Sequence, residues 1–481
     1  MANLNTLFKD TAIYGLSSIV GRFLNYLLVP LYSYKLAAAS GDYGVVTNVY
    51  SYTALLLVIL TFGMETSFFR FVNKEEENPL RVYTTTLIAV LTVSAVFVMA
   101  VLCCLPEVAG WMGYGDTPQY IGIMAVVVAL DAFQSIPFAY LRYQKKPVKF
   151  AALKLLFITL NTLLNLGYFL LVDEPDVGYV FYFNLACTAF ITLFFYRELT
   201  GFRWTLDKAL LRRMLRYAWP LLILGVAGIL NQTADKILYP LVRGGLEGKV
   251  ELGIYGACVK VAMIMALITQ AFRYAYEPFV FAGNKEKDSR ETYARAMKYF
   301  LIFTLLAFLV VVGYMDVLKF LIGEDYREGL RVVPIVMVAE IMMGVYFNLS
   351  FWYKLTDRTI WGAVFSGIGC AVLITVNVIF IPHYHYMACA WAGVAGYGTA
   401  MVLSYVVGQH YYPIRYPLKD IAAYVAITAL FFTFMQLVPS DWPLWVRLGL
   451  NTMLILAFVG HVAYHDFPLR NLPVVGKYFR R

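Results

Sequence analysis

The residues with the most to explain are charged side chains inside long apolar runs. Six are basic, Arg22, Arg70, Lys154, Lys236, Lys260 and Arg273, and five are acidic, Glu65, Asp131, Asp235, Glu277 and Glu340. A charge at bilayer depth costs at least about 2.5–3.5 kcal/mol on insertion scales, so each needs a compensating partner or a function. Several have local readings. Arg273 and Glu277 are four residues apart and can pair along one helix face. Glu65 and Arg70 lie near the end of a run, and Lys154 one turn inside another, so both cations can extend their head groups to the interface. Asp235 and Lys236 are adjacent and point to different faces, which leaves Asp235 seeking a partner elsewhere. Arg22 and Lys260 resist such readings, because neither has an acidic residue within a turn. Lys260 lies about 12 Å inside its run. Two alternatives stand for them: Asp131 or Glu340 pairs with them across a bundle, or they face an inward basic cavity that binds an anion. Arginine suits phosphate because its planar fork gives paired hydrogen bonds.

The elements that must hold these charges follow from composition. Of 481 residues, 61% are hydrophobic and 14% charged, and mean hydropathy is +0.67. Soluble domains are nearer half apolar and a quarter charged. These values exclude a cytosolic enzyme, a disordered chain and a collagen-like fibre, and they exclude a nucleic-acid partner despite a net charge of +9. The class that remains is an all-α integral membrane protein. A hydrocarbon core of about 30 Å needs roughly 20 apolar residues per helix. Fourteen runs meet that length, at about 11–35, 44–69, 82–105, 119–141, 150–172, 178–197, 217–240, 252–279, 299–317, 332–353, 361–381, 386–409, 419–438 and 442–464. The segment Met1–Asp10 leads into a run too long for a cleaved signal peptide, so it is read as a retained first helix.

Basic residues gather in alternate connections: Arg142, Lys145, Lys146 and Lys149; then Arg203, Lys208, Arg212 and Arg213; then Lys285, Lys287, Arg290 and Arg295. The positive-inside rule with an even span number predicts both termini on the cytoplasmic side. No connection has room for a nucleotide-binding domain, and no phosphate-loop motif is present, so no cofactor is expected. All six cysteines fall in or at the ends of spans and read as small core residues. His383 and His385, without an acidic or cysteine partner nearby, read as a wet interface in preference to a metal site.

The two halves match at a shift of about 212 residues. Gly41-Asp-Tyr-Gly44 aligns with Gly253-Ile-Tyr-Gly256, Arg142 with Lys354, and Asn165 with Asn377. The period is six helices, so helices 1–6 and 7–12 form parallel repeats, with helices 13 and 14 appended. The predicted domains are an N-terminal six-helix lobe (1–213), a C-terminal six-helix lobe (214–412), and two extra helices with a basic cytoplasmic tail (413–481). Such repeats place a substrate site between lobes and permit rocking. Asn161 and Asn165 share a face, and Asn25, Asn231 and Gln232 lie on helices 1 and 7; interhelical bonding and sugar contact are both open to them.

Three segments carry a resemblance. Asp235-Lys236-Ile-Leu followed by Leu252-Gly-Ile-Tyr-Gly-Ala-Cys-Val-Lys260, Tyr140-Leu-Arg142-Tyr-Gln-Lys145-Lys146, and Asn377-Val-Ile-Phe-Ile-Pro382 with Ala388-Cys-Ala-Trp-Ala-Gly resemble stretches of the oligosaccharide (Wzx-type) flippases of the MOP superfamily, which also holds the lipid II flippase and the MATE exporters. His383-Tyr-His385-Tyr departs from the family's usual turn after that proline. The resemblance implies translocation of an undecaprenyl-diphosphate-linked oligosaccharide across a bacterial inner membrane, with Arg22, Arg70, Lys236, Lys260 and Arg273 lining a central cavity. It implies a lipid-linked substrate, membrane lipids and other polysaccharide-assembly proteins as partners, and no enzymatic step. Asp235 and Glu277 are the candidate carriers of a coupling ion. A lipid II flippase and a MATE-like exporter of cations are the alternatives. The latter would need unpaired acids in its cavity.

Overall fold

Long apolar stretches must satisfy every backbone N–H and C=O internally when no water is available, and the helix does so within one segment. The computed structural model describes residue 26 and residues 28–283, 289–356, 358–439 and 441–466, and all regular structure among them is helical. In chain order the principal helices are α1 (Leu28–Lys35), α2 (Asp42–Thr61), α3 (Met64–Val72), α4 (Pro79–Cys103), α5 (Leu105–Trp111), α6 (Pro118–Tyr143), α7 (Pro147–Leu171), α8 (Gly178–Leu193) and α9 (Lys208–Arg243). There follow α10 (Gly245–Ala262), α11 (Ile264–Gly283), α12 (Ser289–Gly313), α13 (Val333–Leu349), α14 (Phe351–Leu355), α15 (Ile360–Tyr384), α16 (Tyr386–Tyr411), α17 (Leu418–Leu437) and α18 (Leu444–His465).

Among the described residues, eleven helical stretches are long and apolar enough to cross a membrane, or twelve if α10 and the first half of α11, bent by 41°, count as one. Helix α8 is a shorter apolar helix of 16 residues. Every predicted span after the first falls on one of these helices. The first lies mostly outside the described residues, as does the basic tail. The chain is a multi-pass membrane protein.

Two compact units divide the chain. One comprises Met1–Lys260, Gly323–Gly329 and Ser366–Gly396. Within it α4 packs on α6, α2 on α9, and α6 on α8. Its largest core cluster gathers Phe68, Tyr83, Val90, Val128, Ile136 and Met214, and Tyr83 stacks on Tyr140 at 4.0 Å. The other comprises Val261–Ile322, Leu330–Phe365 and Tyr397–Arg481. There α12 packs on α17 and α18, and Trp352, Tyr353 and Phe365 form a core with Ala400.

Lipid is as apolar as leucine, so helices associate in a bilayer through close packing and polar contacts. The first unit shows both. A Cβ on Gly44 would lie 1.8 Å from the Lys249 carbonyl oxygen, and one on Gly253 would lie 3.0 Å from the Gly44 nitrogen. The two glycine motifs that align in the sequence repeat therefore meet where α2 crosses α10. Asn48 locks α9 to α2: its amide donates to the Lys236 carbonyl at 2.8 Å, and its carbonyl accepts from Tyr114 at 2.8 Å. Asn165 accepts from Tyr32 at 2.8 Å, while its amide reaches the Asn161 carbonyl, also at 2.8 Å. Asn231 donates to Ser366 at 3.1 Å. Asn165 and Asn231 thus make interhelical contacts, one of the two roles their sequence leaves open. Helix α2 ends at Phe62 (φ 31°) and Gly63 (φ 72°), which turn the chain into α3. Only Gly adopts that region without strain, and Gly63 also abuts the Ala218 carbonyl on α9.

The cysteine expectation needs correction at one place. Cys187, Cys258, Cys370 and Cys389 are buried, but Cys103 and Cys104, at the C-terminal end of α4, are exposed.

Candidate functional site

Of the intramembrane charges, Arg22 lies outside the described residues, and the side chain of Glu277 does too. The rest can be placed. Arg70 ends α3, a short helix with one strongly apolar face, and its exposed guanidinium stacks 4.0 Å over the Tyr217 ring of α9. The Glu65 carboxylate binds Arg142, which lies 4.8 Å over Phe69. Glu65 is therefore matched by a residue 77 positions away.

Asp235 and Lys236 depart from the sequence expectation. Adjacent helical residues leave the axis in different directions, yet the Lys236 Nζ reaches both Asp235 oxygens, at 3.0 and 2.9 Å. The four-carbon lysine stem spans the angular gap, and the same Nζ donates to the Gln232 carbonyl one turn back at 3.0 Å. A second donor, the Tyr255 hydroxyl on α10, reaches Asp235 at 2.7 Å. The carboxylate finds both partners locally, and at this depth that compensation offsets the cost of insertion.

Lys260 lies near the end of α10, exposed, and the charge that acts on it is the cation of Lys236. Among the described residues it makes no hydrogen bond or ion pair. The carboxylate of Asp131 does not serve it; the charge acting on Asp131 is Lys154, which also lies 4.1 Å over the Phe138 ring. Lys236 and Lys260 thus act on each other as like charges, while Asp235 already holds Lys236 and Tyr255. Such an arrangement leaves attraction for an anion.

Arg70 is not part of that pair. Tyr217 and Lys236 are both on α9, nineteen positions apart, a distance of about 28 Å along the helix. Within this unit the predicted cations therefore occupy two levels. Arg273 lies in the other unit, on α11, with its guanidinium 5.0 Å over Phe347. It borders a narrow crevice lined by Thr269, Phe272, Gly344, Phe347, Asn348 and Phe351.

Two ionic clusters had no signal in the sequence. Glu251 accepts from Tyr239, from the Arg243 Nε at 3.3 Å, and pairs with the His385 Nδ1 at 2.9 Å. The wet-interface histidine is thereby tied to α10. Lys298 of α12 bridges Asp420 at 2.6 Å and Asp466 at 2.5 Å. The Glu251–His385, Lys298–Asp420 and Lys298–Asp466 pairs join residues more than a hundred positions apart, beyond any helical spacing. Outside the spans, Asp207 caps α9: its carboxylate accepts from the backbone N–H of Leu210 at 3.0 Å and of Ala209 at 2.9 Å, with Arg81 3.5 Å away. The backbone donors hold its carboxyl below the usual aspartate range.

The sequence matches the model of a family described as polysaccharide biosynthesis protein over residues 39–331. A curated relative, Lsg locus putative protein 1 of Haemophilus influenzae, is 20% identical over 331 residues, which is 66% of this chain and 78% of that protein. The fold is similar to the lipid II flippase MurJ in an inward closed conformation, with a TM-score of 0.72 at 14% identity, covering 93% of this chain and 98% of that one. It is also similar to the MATE multidrug transporter DinF-BH, with a TM-score of 0.59 at 14% identity and coverage of 83% and 94%.

Proposed function

We propose, from the premise that the chain belongs to the polysaccharide biosynthesis protein family, that it is a flippase for an undecaprenyl-diphosphate-linked oligosaccharide. The substrate is an O-antigen, capsule or exopolysaccharide repeat unit. It moves from the cytoplasmic to the periplasmic leaflet of a bacterial inner membrane by alternating access of lobes 1–213 and 214–412, with helices 13 and 14 (413–481) appended. No bond is made or broken, and the polyprenyl tail stays in the bilayer.

The observation that supports this reading is Lys260, a cation on an apolar helix that makes no hydrogen bond or ion pair among the described residues and meets the like charge of Lys236. A diphosphate supplies the anion that the pair lacks. Arg22, Arg70 and Arg273 complete the set of cations offered to it, and guanidinium groups match phosphate oxygens two at a time. A cation exporter would need a carboxylate open to its cargo, whereas Asp235 is occupied by Lys236 and Tyr255. Asp235 and Glu277 are the proposed carriers of any coupling ion.

The test is to replace Arg22 and Lys260 singly with Gln and to measure surface polysaccharide at equal protein level. Hydrogen bonds to charged groups contribute enough that each change is expected to lower output about tenfold or more. Wild-type output from Lys260→Gln would remove the observation on which the reading rests.

A further inference from the structure

The opening turns of α9 carry cations that the protein itself does not use. The helix has 36 residues, about 54 Å, and so outruns a hydrocarbon core of about 30 Å. Its apolar run starts only near residue 217, which leaves the turns before it at head-group level. They follow a connection that the positive-inside rule assigns to the cytoplasmic side. Two charges there are matched: Arg213 pairs with Glu77 at 2.6 Å, and Asp207 with Arg81 at 3.5 Å. Lys208, Arg212 and Arg216 are exposed. Among the described residues these three make no hydrogen bond or ion pair.

Their register is the telling feature. Spaced four apart, each lies about 40° round the helix and about 6 Å along it from the one before. Trp219 and Ile223 fall within the same arc of about 80°, and they are 64% and 54% exposed. The opposite side is core, where Leu210, Met214 and Ala218 are buried among the residues of the largest cluster. Along one line of α9 the exposed face thus passes from three cations to an indole to an aliphatic side chain. A bilayer presents the same order, from head groups to acyl chains, with tryptophan favoured at the boundary. A wall facing water would not continue into an exposed indole and isoleucine. The positive-inside rule accounts for how many cations a connection holds, and not for their alignment on one face.

We infer that this stripe is a docking surface for anionic phospholipids of the cytoplasmic leaflet, with head-group phosphates at Lys208, Arg212 and Arg216 and acyl chains along Trp219 and Ile223. Charge complementarity selects the occupant, since a row of unpaired cations favours a head group of net negative charge over a zwitterionic one. The partner is a resident of the membrane and not cargo, so the inference stands apart from the flippase reading. It gives the bilayer a hold on the depth of α9, the helix that carries Asp235 and Lys236 further along.

The test uses the full-length protein in phosphatidylcholine nanodiscs containing a minority of brominated phosphatidylglycerol, whose bromines quench nearby indoles. The Trp219 signal is the wild-type emission less that of Trp219→Phe. Brominated phosphatidylglycerol is expected to quench it several-fold more effectively than brominated phosphatidylcholine at equal mole fraction. Arg212→Gln/Arg216→Gln should lower that preference about fivefold or more, at least the worth of one charge at an anionic surface. About 1 M salt, where the Debye length is about 3 Å, should lower it in wild type. Lys145→Gln/Lys146→Gln removes two exposed cations from the connection between α6 and α7 and should leave the preference intact. Melting temperatures like that of wild type for both double variants assign any loss to lipid contact. The stripe is overturned as a phospholipid site if wild type shows no preference, or if the two double variants lose it equally, which would make net charge sufficient. It is also overturned if a small mole fraction of geranylgeranyl diphosphate displaces phosphatidylglycerol from Trp219, which would make the stripe a loading surface for cargo.

Discussion

Asp235→Asn isolates one charge. The substituted amide can still accept from Tyr255, now at 2.7 Å from the carboxylate, so the change removes the anion and little else. Lys236 then keeps the Gln232 carbonyl but loses both carboxylate contacts, at 3.0 and 2.9 Å. Removing one partner of a buried ion pair costs about 3–5 kcal/mol. Lys236 and Asp235 side chains retain 18% and 11% exposure, which puts this pair at the low end, about 3 kcal/mol. The double variant Asp235→Asn/Lys236→Gln leaves neither charge stranded and should recover about 2 kcal/mol of that loss, the coupling measured by a double-mutant cycle. The assay is chemical unfolding of purified protein in detergent micelles for wild type, both single variants and the double. If Asp235→Asn unfolds within 1 kcal/mol of wild type, or the double variant is no more stable than the single, Asp235 is not the counter-ion of Lys236. The cycle also bears on ion coupling, because a carboxylate that serves mainly as a counter-ion is relieved by removing its lysine, whereas a coupling carrier is not.

Gly44→Ala places a methyl 1.8 Å from the Lys249 carbonyl oxygen, a backbone atom that cannot step aside. The crossing of α2 and α10 must open, and a loss of about 3 kcal/mol or more is expected, read as lower yield of monodisperse protein on size-exclusion chromatography. Asp207→Asn tests the α9 cap through pH. The folded carboxyl is held below its unfolded value by the Leu210 and Ala209 N–H donors, so its stabilisation is present above the unfolded carboxylate range and is lost as pH falls through the folded value. The melting temperature of wild type should therefore exceed that of Asp207→Asn at pH 7, and the gap should close in acid. A gap that does not change with pH would show that the charge of Asp207 plays no part in the cap.

Much of the fold is legible in the sequence because a membrane leaves few choices. Twenty apolar residues make a spanning helix wherever they occur, and α4, α6, α7, α9, α15 and α16 lie where hydropathy puts them. The two glycine motifs that align in the sequence also pack on each other, Gly44 against Gly253. What hydropathy hides is which face of each helix is buried. When the solvent is lipid, helices are apolar all round, and the amphipathic stripe that orients a helix in a soluble protein is absent. The break at Phe62–Gly63 is likewise hidden, since Phe at positive φ has no sequence signature. The site divides in the same way. Lys260 stands out in the sequence because an isolated cation in an apolar run is costly, and the structure places it exposed near the end of α10. The pairing of Asp235 with Lys236 does not follow from helix geometry, which neglects the reach of a long side chain.

The two levels of basic residues along α9 bear on how a charged substrate would move. Arg70 at Tyr217 and the pair of Lys236 with Lys260 stand about 28 Å apart along one helix, comparable with the roughly 30 Å hydrocarbon thickness. Under the proposed function, one diphosphate cannot be held by both levels at once, so they act in succession, with Arg70 near the basic connections and the lysine pair deeper toward the opposite end. Asp235, next to Lys236 on α9, tempers the attraction of Lys236 and leaves Lys260 the stronger draw. The membrane potential supplies a direction, since moving about two negative charges outward gains about 4–5 kcal/mol per 100 mV. A binding level of moderate strength then suffices, because a tighter one would hold the substrate against the field that is meant to release it.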